Sequence, residues 1–308
     1  MRYQSKIRAL EDRIDSVIMG KRKAIKTAIV TLLAKGHLLI EDVPGVGKTT
    51  LAFTLAKSIN CTFQRIQFTS DLMPSDIIGV SIYNPDTKQF EFKEGPIFAN
   101  IVLADEINRT NPKTQSALLE AMNERRVSVD RKTYILPEPF MVLATENPLE
   151  YQGTFPLPES QLDRFMAHLR IGYPEPEFEK KALMEKKELS DIEALGAVLE
   201  ADEVLLMQSE VESVKVDKSI YDYILKIITS TRQDERIKLG ASTRAAQFLV
   251  KGAKASAYYE GRDYVIPDDV RDIAPSVLGH RIILRSSATI SDSVRVIEDI
   301  LRKTPVPV

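Results

Sequence analysis

Apolar positions recur at helical spacing from the start of the chain. Ile7, Leu10, Ile14 and Val17 predict an amphipathic helix over 3–18, broken by Gly20. Ala24, Ile25, Ala28, Ile29, Leu32 and Leu33 mark a second helix, with Gly36 expected at its C-cap. The period then changes. Residues 37–40 form a short apolar run, a glycine turn follows, and a helix is expected over 48–58. Further short strands are expected at 62–68, 101–104, 140–144 and 165–171. Between them Asn111-Pro112 opens a helix, with Asn as N-cap and Pro at the first helical position. Its apolar stripe is Ala117, Leu118, Ala121 and Met122. Short apolar strands separated by helices predict an α/β fold with a parallel sheet covered on both faces.

Two segments depart from this pattern. Residues 80–93 read as a hairpin around Asn84-Pro85-Asp86, and 126–136 as a second hairpin around Asp130. Both are too polar for core strands and are expected to project from the sheet. After Tyr173 the pattern is almost wholly helical. Ile220, Tyr223, Ile224 and Ile227 form one stripe, and Ala245, Phe248, Leu249, Gly252 and Ala253 another. Val270, Ile273 and Val277 form a third, and Val294, Ile297 and Leu301 a fourth. The charged run 180–188 reads as a solvated helix face. The expected division is an α/β core over 1–173 and a smaller all-helical domain over 174–308.

A length of 308 residues suits two domains. With 44% hydrophobic and 28% charged residues, the chain is neither disordered nor fibrous. Forty-two basic against 44 acidic residues leave a net charge of −2. That balance gives no electrostatic footprint for nucleic acid, which is not an expected partner. The single cysteine, Cys61, reads as a small buried hydrophobe and fits a reducing compartment. The first 15 residues are charged throughout, unlike a secretory signal. Lys26, Lys35 and His37 interrupt the most apolar early run, so no membrane span is expected. These features predict a soluble, cytoplasmic protein.

The strongest chemical signal is the run from Glu41 to Thr50. A loop of backbone N–H groups feeding a helix N-terminus is a natural receptor for phosphate. Gly45 and Gly47 let the loop turn its donors inward, and Pro44, Val46 and Thr50 complete the ATP-binding segment. Lys48 is expected to reach the β and γ phosphates, and the Thr49 hydroxyl to ligate Mg²⁺. The general motif has glycine where this chain has Asp42. That departure is expected to matter little if ordinary backbone angles are kept there. Asp105 and Glu106 end an apolar strand at the edge where ligands bind in open α/β sheets. Asp105 would hold hydrated Mg²⁺ and Glu106 would act as general base toward water. A surface acidic pair is the alternative. His37, His168 and His280 are too scattered for a metal motif, and no serine sits in a G-x-S-x-G context.

Together with Arg65-Ile66-Gln67-Phe68-Thr69, Pro74-Ser75-Asp76-Ile77-Ile78-Gly79, Asp105-Glu106-Ile107-Asn108-Arg109 and 115–122, these phrases resemble the MoxR family of AAA+ ATPases. Ala144-Thr145-Glu146-Asn147-Pro148, Leu162-Asp163-Arg164-Phe165 and Gly240-Ala241-Ser242-Thr243-Arg244-Ala245 continue the match in family order. The resemblance implies an AAA+ core followed by a helical lid. It implies Asn147 as sensor 1, orienting the lytic water, and Arg164 as an arginine finger on the neighbouring subunit's γ-phosphate. An ion pair of Arg164 with Asp163 or Glu159 is the alternative. Arg244 is expected as sensor 2, reaching its own subunit's γ-phosphate, with Ser242 or Thr243 capping its helix. Ile18-Met19-Gly20 would pack near the adenine. The hairpins would face a pore or client, through Tyr83, Phe90, Phe92, Arg131 and Tyr134, or would simply pack onto the domain.

The implied activity is Mg²⁺-dependent ATP hydrolysis by a homo-oligomer, a hexameric ring. The implied work is chaperone-like: remodelling a client protein complex or assisting metal or cofactor insertion, with a von Willebrand factor A domain protein as associate. The motor subunit of a metal chelatase is the runner-up. A nucleic-acid motor and a non-hydrolysing nucleotide switch are the remaining rivals.

Overall fold

The computed structural model describes residues 2–148, 153–185, 192, 194, 196–286 and 289–307. The chain runs α1 (Gln4–Asp15), α2 (Arg22–Leu33), β1 (Leu38–Glu41), α3 (Lys48–Ser58), β2 (Phe63–Gln67), α4 (Pro74–Ile78), β3 (Gly79–Asn84) and β4 (Gln89–Glu94). It continues through β5 (Ile101–Asp105), α5 (Pro112–Glu124), β6 (Arg126–Val129), β7 (Lys132–Ile135), β8 (Met141–Glu146), α6 (Glu159–Leu162) and β9 (Ala167–Leu169). Then come α7 (Pro176–Glu185), α8 (Ala201–Glu212), α9 (Lys218–Gln233), β10 (Ile237–Leu239), α10 (Thr243–Tyr259), α11 (Pro267–Leu278), β11 (Ile283–Leu284) and α12 (Ile290–Lys303).

Five strands form one sheet in the order β2-β5-β8-β1-β9, and every pairing is parallel. β1, β5 and β9 are buried at every position, which is why they are mostly apolar, with Glu41, Asp105 and His168 the exceptions. Leu38, Ile40, Ile101 and Leu103 pack on one face with α1, α2 and α3. Leu39, Val102, Ala104 and Val142 pack on the other with Leu118, Leu119 and Met122 of α5. Ala117, expected in that stripe, is only half-buried, and Leu119 takes its place. β2 is an edge strand in which only Ile66 is buried and Gln64, Arg65 and Gln67 are exposed.

The two hairpins form as expected, each a separate two-stranded antiparallel sheet. Asp130 and Arg131 both take positive φ, the backbone of a two-residue hairpin turn. Asn111 caps α5 by accepting from the Lys113 and Thr114 amides. The C-terminal helices pack back on α2 and β9, so one apolar core continues from α1 and α3 through α10 to α12.

Three details differ from expectation. The left-handed residue after α2 is Lys35 (φ 56°), not Gly36. Gly36 is required for space instead, since a Cβ there would lie 2.4 Å from the Met166 sulfur. β10 and β11 pair as a short antiparallel ladder inside the helical region, too brief to show a period of two. Of the charged run 180–188, residues 180–185 lie in α7, where Lys180, Lys181 and Met184 are exposed, and 186–188 fall outside the described residues. Cys61 is buried as expected, and burial pushes its thiol up to about 12.

Candidate active site at the carboxyl edge of the sheet

Because all five strands run the same way, their carboxyl ends share one edge. β1 feeds the loop 42–47, and α3 begins at Lys48. Gly45 and Gly47 have φ of 86° and 94°, and a Cβ at either would meet nothing within 4 Å. The requirement there is backbone conformation, not space. Gly47 is the N-cap of α3, so the loop opens onto a helix N-terminus. Lys48 is nearly buried, and its ammonium donates to the Asp42 carbonyl at 2.8 Å.

Asp42 is not among the residues with positive φ, so the backbone does not need the consensus glycine there, and its carboxylate adds contacts that glycine could not make. Its Oδ2 accepts from the Ile171 and Gly172 amides, each at 2.7 Å, and its Oδ1 from the Val43 amide at 3.0 Å. The carboxylate thus pins the start of the phosphate loop to the chain leaving β9. Beside the loop lies a cavity of 180 Å³ lined by Val17, Ile18, Met19, Gly47 and Phe178. Phe178 lies against Gly20, where a Cβ would come within 2.5 Å of its ring. This places the segment 18–20 beside the loop.

β5 lies one strand beyond β8, which lies beside β1. Asp105 ends β5 with its carboxylate almost enclosed. Oδ1 accepts from the Thr145 hydroxyl at 2.6 Å, while Oδ2 accepts from Arg65 Nε at 3.1 Å and Nη2 at 2.6 Å. Thr145 also accepts from the Glu106 amide at 2.8 Å, so one buried hydroxyl registers both acids. Glu106 sits at φ 60°, a conformation that non-glycine residues adopt at a cost and that here turns its carboxylate off the strand axis. Its Oε2 accepts from Gln67 Nε2 at 2.9 Å and Arg109 Nη1 at 3.1 Å. Asn147 follows β8, buried, between the ends of β5 and β1. The structure therefore brings the phosphate loop, Asp105, Glu106 and Asn147 to adjacent strand ends.

A charged cluster supports the end of β1. Burial works against the Glu41 carboxyl, but His168 at 3.2 Å and Arg170 at 2.5 Å hold it below its usual range. Glu146 is the opposite case: desolvation, with Glu41 adding repulsion, raises it to about 7.

The arginines expected as finger and as sensor 2 lie elsewhere. Arg164 follows α6 and donates to the Leu119 carbonyl at 2.9 Å; Asp163 pairs with Arg281 instead. Arg244 stands in the first turn of α10, capped by Ser242 as expected. Its Nη2 donates to Asn123 Oδ1 at 2.8 Å, and it shares the face of Phe248 with Arg281. Arg281 in turn holds the Met166 carbonyl, just before β9. Asn123 is two residues from Arg125, the C-cap of α5, which donates to the Lys35 carbonyl just before β1. Arg164 and Arg244 therefore both sit at the amino edge, a strand length (roughly 13 Å for four residues) from their own phosphate loop. This corrects the expectation that Arg244 reaches its own subunit's nucleotide.

Of the hairpin residues, Tyr83 and Phe90 form an exposed edge-on pair at the tip of β3–β4. Phe92 and Tyr134 stack at 4.0 Å and tie the two hairpins together. Arg131 is exposed in its turn. His37 and His280 are buried structural groups, bonded to the Met122 and Phe165 carbonyls respectively.

Reading the sequence gave no role to Thr145, Gln67 or Arg65, although all three stand in the phrases that carry the resemblance. Nor did it single out Gln115, which is fully buried and binds the Ile107, Thr110 and Phe155 carbonyls, stapling the loop after Glu106. The signal available for Arg65 and Gln67 was their spacing of two on a strand, which puts both on the face of Asp105.

Among the described residues no cluster of three or more His, Cys, Asp or Glu could hold a metal unaided. The Thr49 hydroxyl and Asp105 carboxylate are hard oxygen donors. That sparse set fits Mg²⁺, which is usually held by one or two protein oxygens with substrate phosphates and water.

Residues 37–167 match the profile of the ATPase family associated with various cellular activities, and 229–302 match the AAA lid domain. The chain is 49% identical to the uncharacterized protein YeaC of Bacillus subtilis, over all of this chain and 98% of that one. It is 40% identical to Chaperone MoxR1 of Mycobacterium tuberculosis, over 96% of this chain and 80% of that one. A crystal structure from Cytophaga hutchinsonii, described as a candidate ATPase, superposes with a TM-score of 0.91 at 40% identity, covering 100% and 96% of the two chains. Among the described residues no helix is long and apolar enough to cross a membrane. With the glycine loop, the acids Asp105 and Glu106 and Asn147 on one sheet edge and a lid after them, the chain belongs to the MoxR family of AAA+ ATPases.

Proposed function

We propose that this protein hydrolyses ATP with Mg²⁺ in a ring whose active sites are completed between subunits. The observation that carries the reading is the placement of the phosphate loop, Asp105, Glu106 and Asn147 at one sheet edge and of Arg164 and Arg244 at the other. In a ring, one subunit's amino edge meets its neighbour's carboxyl edge. The loop amides and Lys48 would bind the phosphates, and the 180 Å³ cavity would take the base. Mg²⁺ held near Thr49 and Asp105 would neutralise charge on the β and γ phosphates. Glu106 would exchange its contacts with Gln67 and Arg109 for a water and accept its proton. The water oxygen bonds to the γ-phosphorus as the bond to the bridging oxygen breaks, releasing ADP and phosphate. Asn147 would orient that water. Arg164 and Arg244 would stabilise the transferring phosphoryl group of the neighbour.

In this reading 1–173 form the nucleotide core and 174–308 the lid, with hexamer the expected ring. Hydrolysis would shift the coupled hairpins, whose exposed Tyr83 and Phe90 would grip a client protein. The name of the Mycobacterium relative supports chaperone-like work; a cytoplasmic location and a von Willebrand factor A domain protein as associate belong to the same proposal. The test is phosphate release per subunit across a wide range of protein concentration, at saturating ATP and Mg²⁺. Specific activity is expected to climb with concentration and to vanish in Glu106→Gln, which should still bind ATP. Full turnover in Glu106→Gln would remove it as base. Absence of both binding and turnover would overturn the reading.

A further inference from the structure

Both oxygens of the Asp105 carboxylate are already engaged by groups of this chain. Oδ1 takes the Thr145 hydroxyl, and Oδ2 takes two N–H groups of Arg65. The Asp105 side chain is 11% exposed and that of Arg65 49%. The guanidinium therefore closes over the carboxylate from the solvent side. Two donors on Oδ2 use both of its lone pairs, leaving that oxygen none to offer a metal-bound water. A fixed positive charge in this position also repels a dication placed against the same carboxylate. Arg65 Nη2 further donates to Gln67 Oε1 at 2.9 Å, so the side chain is steadied from within β2.

Nothing else requires Arg65 to stay there. β2 is an edge strand, paired only with β5 through its backbone. The side chain can swing to solvent without breaking any of those backbone bonds.

From this we infer that Arg65 is a built-in competitor of Mg²⁺: it neutralises Asp105 while the metal is absent and must leave when the Mg²⁺–nucleotide binds. Arg65 is thus a positioning residue that sets how much free Mg²⁺ the site needs. The inference rests on the reading of Asp105 as the carboxylate that faces Mg²⁺. By linkage, removing the competitor tightens metal binding and weakens the metal-free protein together.

The experiment uses the full chain and the β,γ-imido analogue of ATP, which removes turnover from the readout. Binding is followed by calorimetry as free Mg²⁺ is raised, in wild type, Arg65→Gln and Arg65→Lys. The free-Mg²⁺ midpoint is expected to fall about fivefold in Arg65→Gln, the scale of a charge-assisted hydrogen-bonded pair discounted for its half-exposed arginine. Affinity for the analogue in excess chelator should stay within about twofold of wild type, a change of no more than about 0.4 kcal/mol. The metal-free melting temperature should drop, and Mg²⁺ with the analogue should restore it. Arg65→Lys keeps the charge but loses the fork, so its midpoint should fall less; it carries the test if Arg65→Gln does not fold. An unchanged midpoint in the folded variants overturns the inference, because Arg65 would then be structural. A raised midpoint overturns it too, since Arg65 would be helping to hold the metal–phosphate unit. Wild type that binds the analogue at no Mg²⁺ concentration defeats the ATPase reading itself. Binding with a midpoint indifferent to Arg65 defeats only this inference.

Discussion

Replacing Asp42 with alanine isolates what its carboxylate contributes at the start of the phosphate loop. Three amides lose their acceptor. The Val43 amide is partly exposed and can turn to water, whereas Ile171 is buried and Gly172 half-buried. Hydrogen bonds to a charged group contribute about 1.5–3 kcal/mol each, and an unsatisfied buried donor costs a similar amount. Two such bonds put the loss at about 3–6 kcal/mol, a large part of the roughly 5–15 kcal/mol that holds a typical domain together. Urea unfolding followed by far-ultraviolet circular dichroism measures it, since the chain has no tryptophan. Asp42→Asn keeps one oxygen for Ile171 and Gly172 but turns an NH₂ toward the Val43 amide, so about 1–2 kcal/mol is expected. A loss below about 1 kcal/mol in Asp42→Ala would refute the argument, because the amides would then be finding partners that the folded geometry does not offer.

Two further outcomes test the site's electrostatics and its assembly. Glu146 is raised from 4.5 to about 7, so the native state holds an extra proton between those values and stability falls as pH rises through that window. Glu146→Gln should match wild type near pH 4.5 and exceed it by up to about 3 kcal/mol by about pH 8; a gain independent of pH would show that Glu146 does not titrate there. Arg244→Ala should be inactive alone, yet regain turnover when mixed with Lys48→Ala, because the first supplies intact phosphate loops and the second intact arginines. No recovery at any mixing ratio would return Arg244 to its own subunit's nucleotide.

The sequence by itself determined the elements and most of the site. Apolar runs marked β1, β5 and β8 because strands buried on both faces are filled by apolar residues except at their carboxyl ends, where Glu41, Asp105, Thr145 and Glu146 stand. The loop from Asp42 to Lys48 was legible because backbone donors need glycine at φ values that other residues avoid, and glycine is visible as a letter. Asp105 and Glu106 were legible because they close an apolar strand at its carboxyl end, and Asn147 through the family resemblance of the phrase that holds it.

Tertiary structure alone decided how the site is wired. Thr145 bridges two acids that lie 40 and 39 residues away, and Asp42 reaches 129 and 130 residues to Ile171 and Gly172. No local period encodes such pairs. It also decided which edge Arg244 occupies. Ser242 and the helix it caps could be read from the chain, but the direction in which that helix leans is set by packing Phe248 and Arg281 against the chain before β9. Gly36 gives the same lesson on a smaller scale: its place after a helix suggested a cap, and only the approach of Met166 shows that the missing side chain is needed for room. Local propensity acts between neighbours in sequence. Burial, charge pairing and steric fit act between neighbours in space, and only the folded chain brings those together.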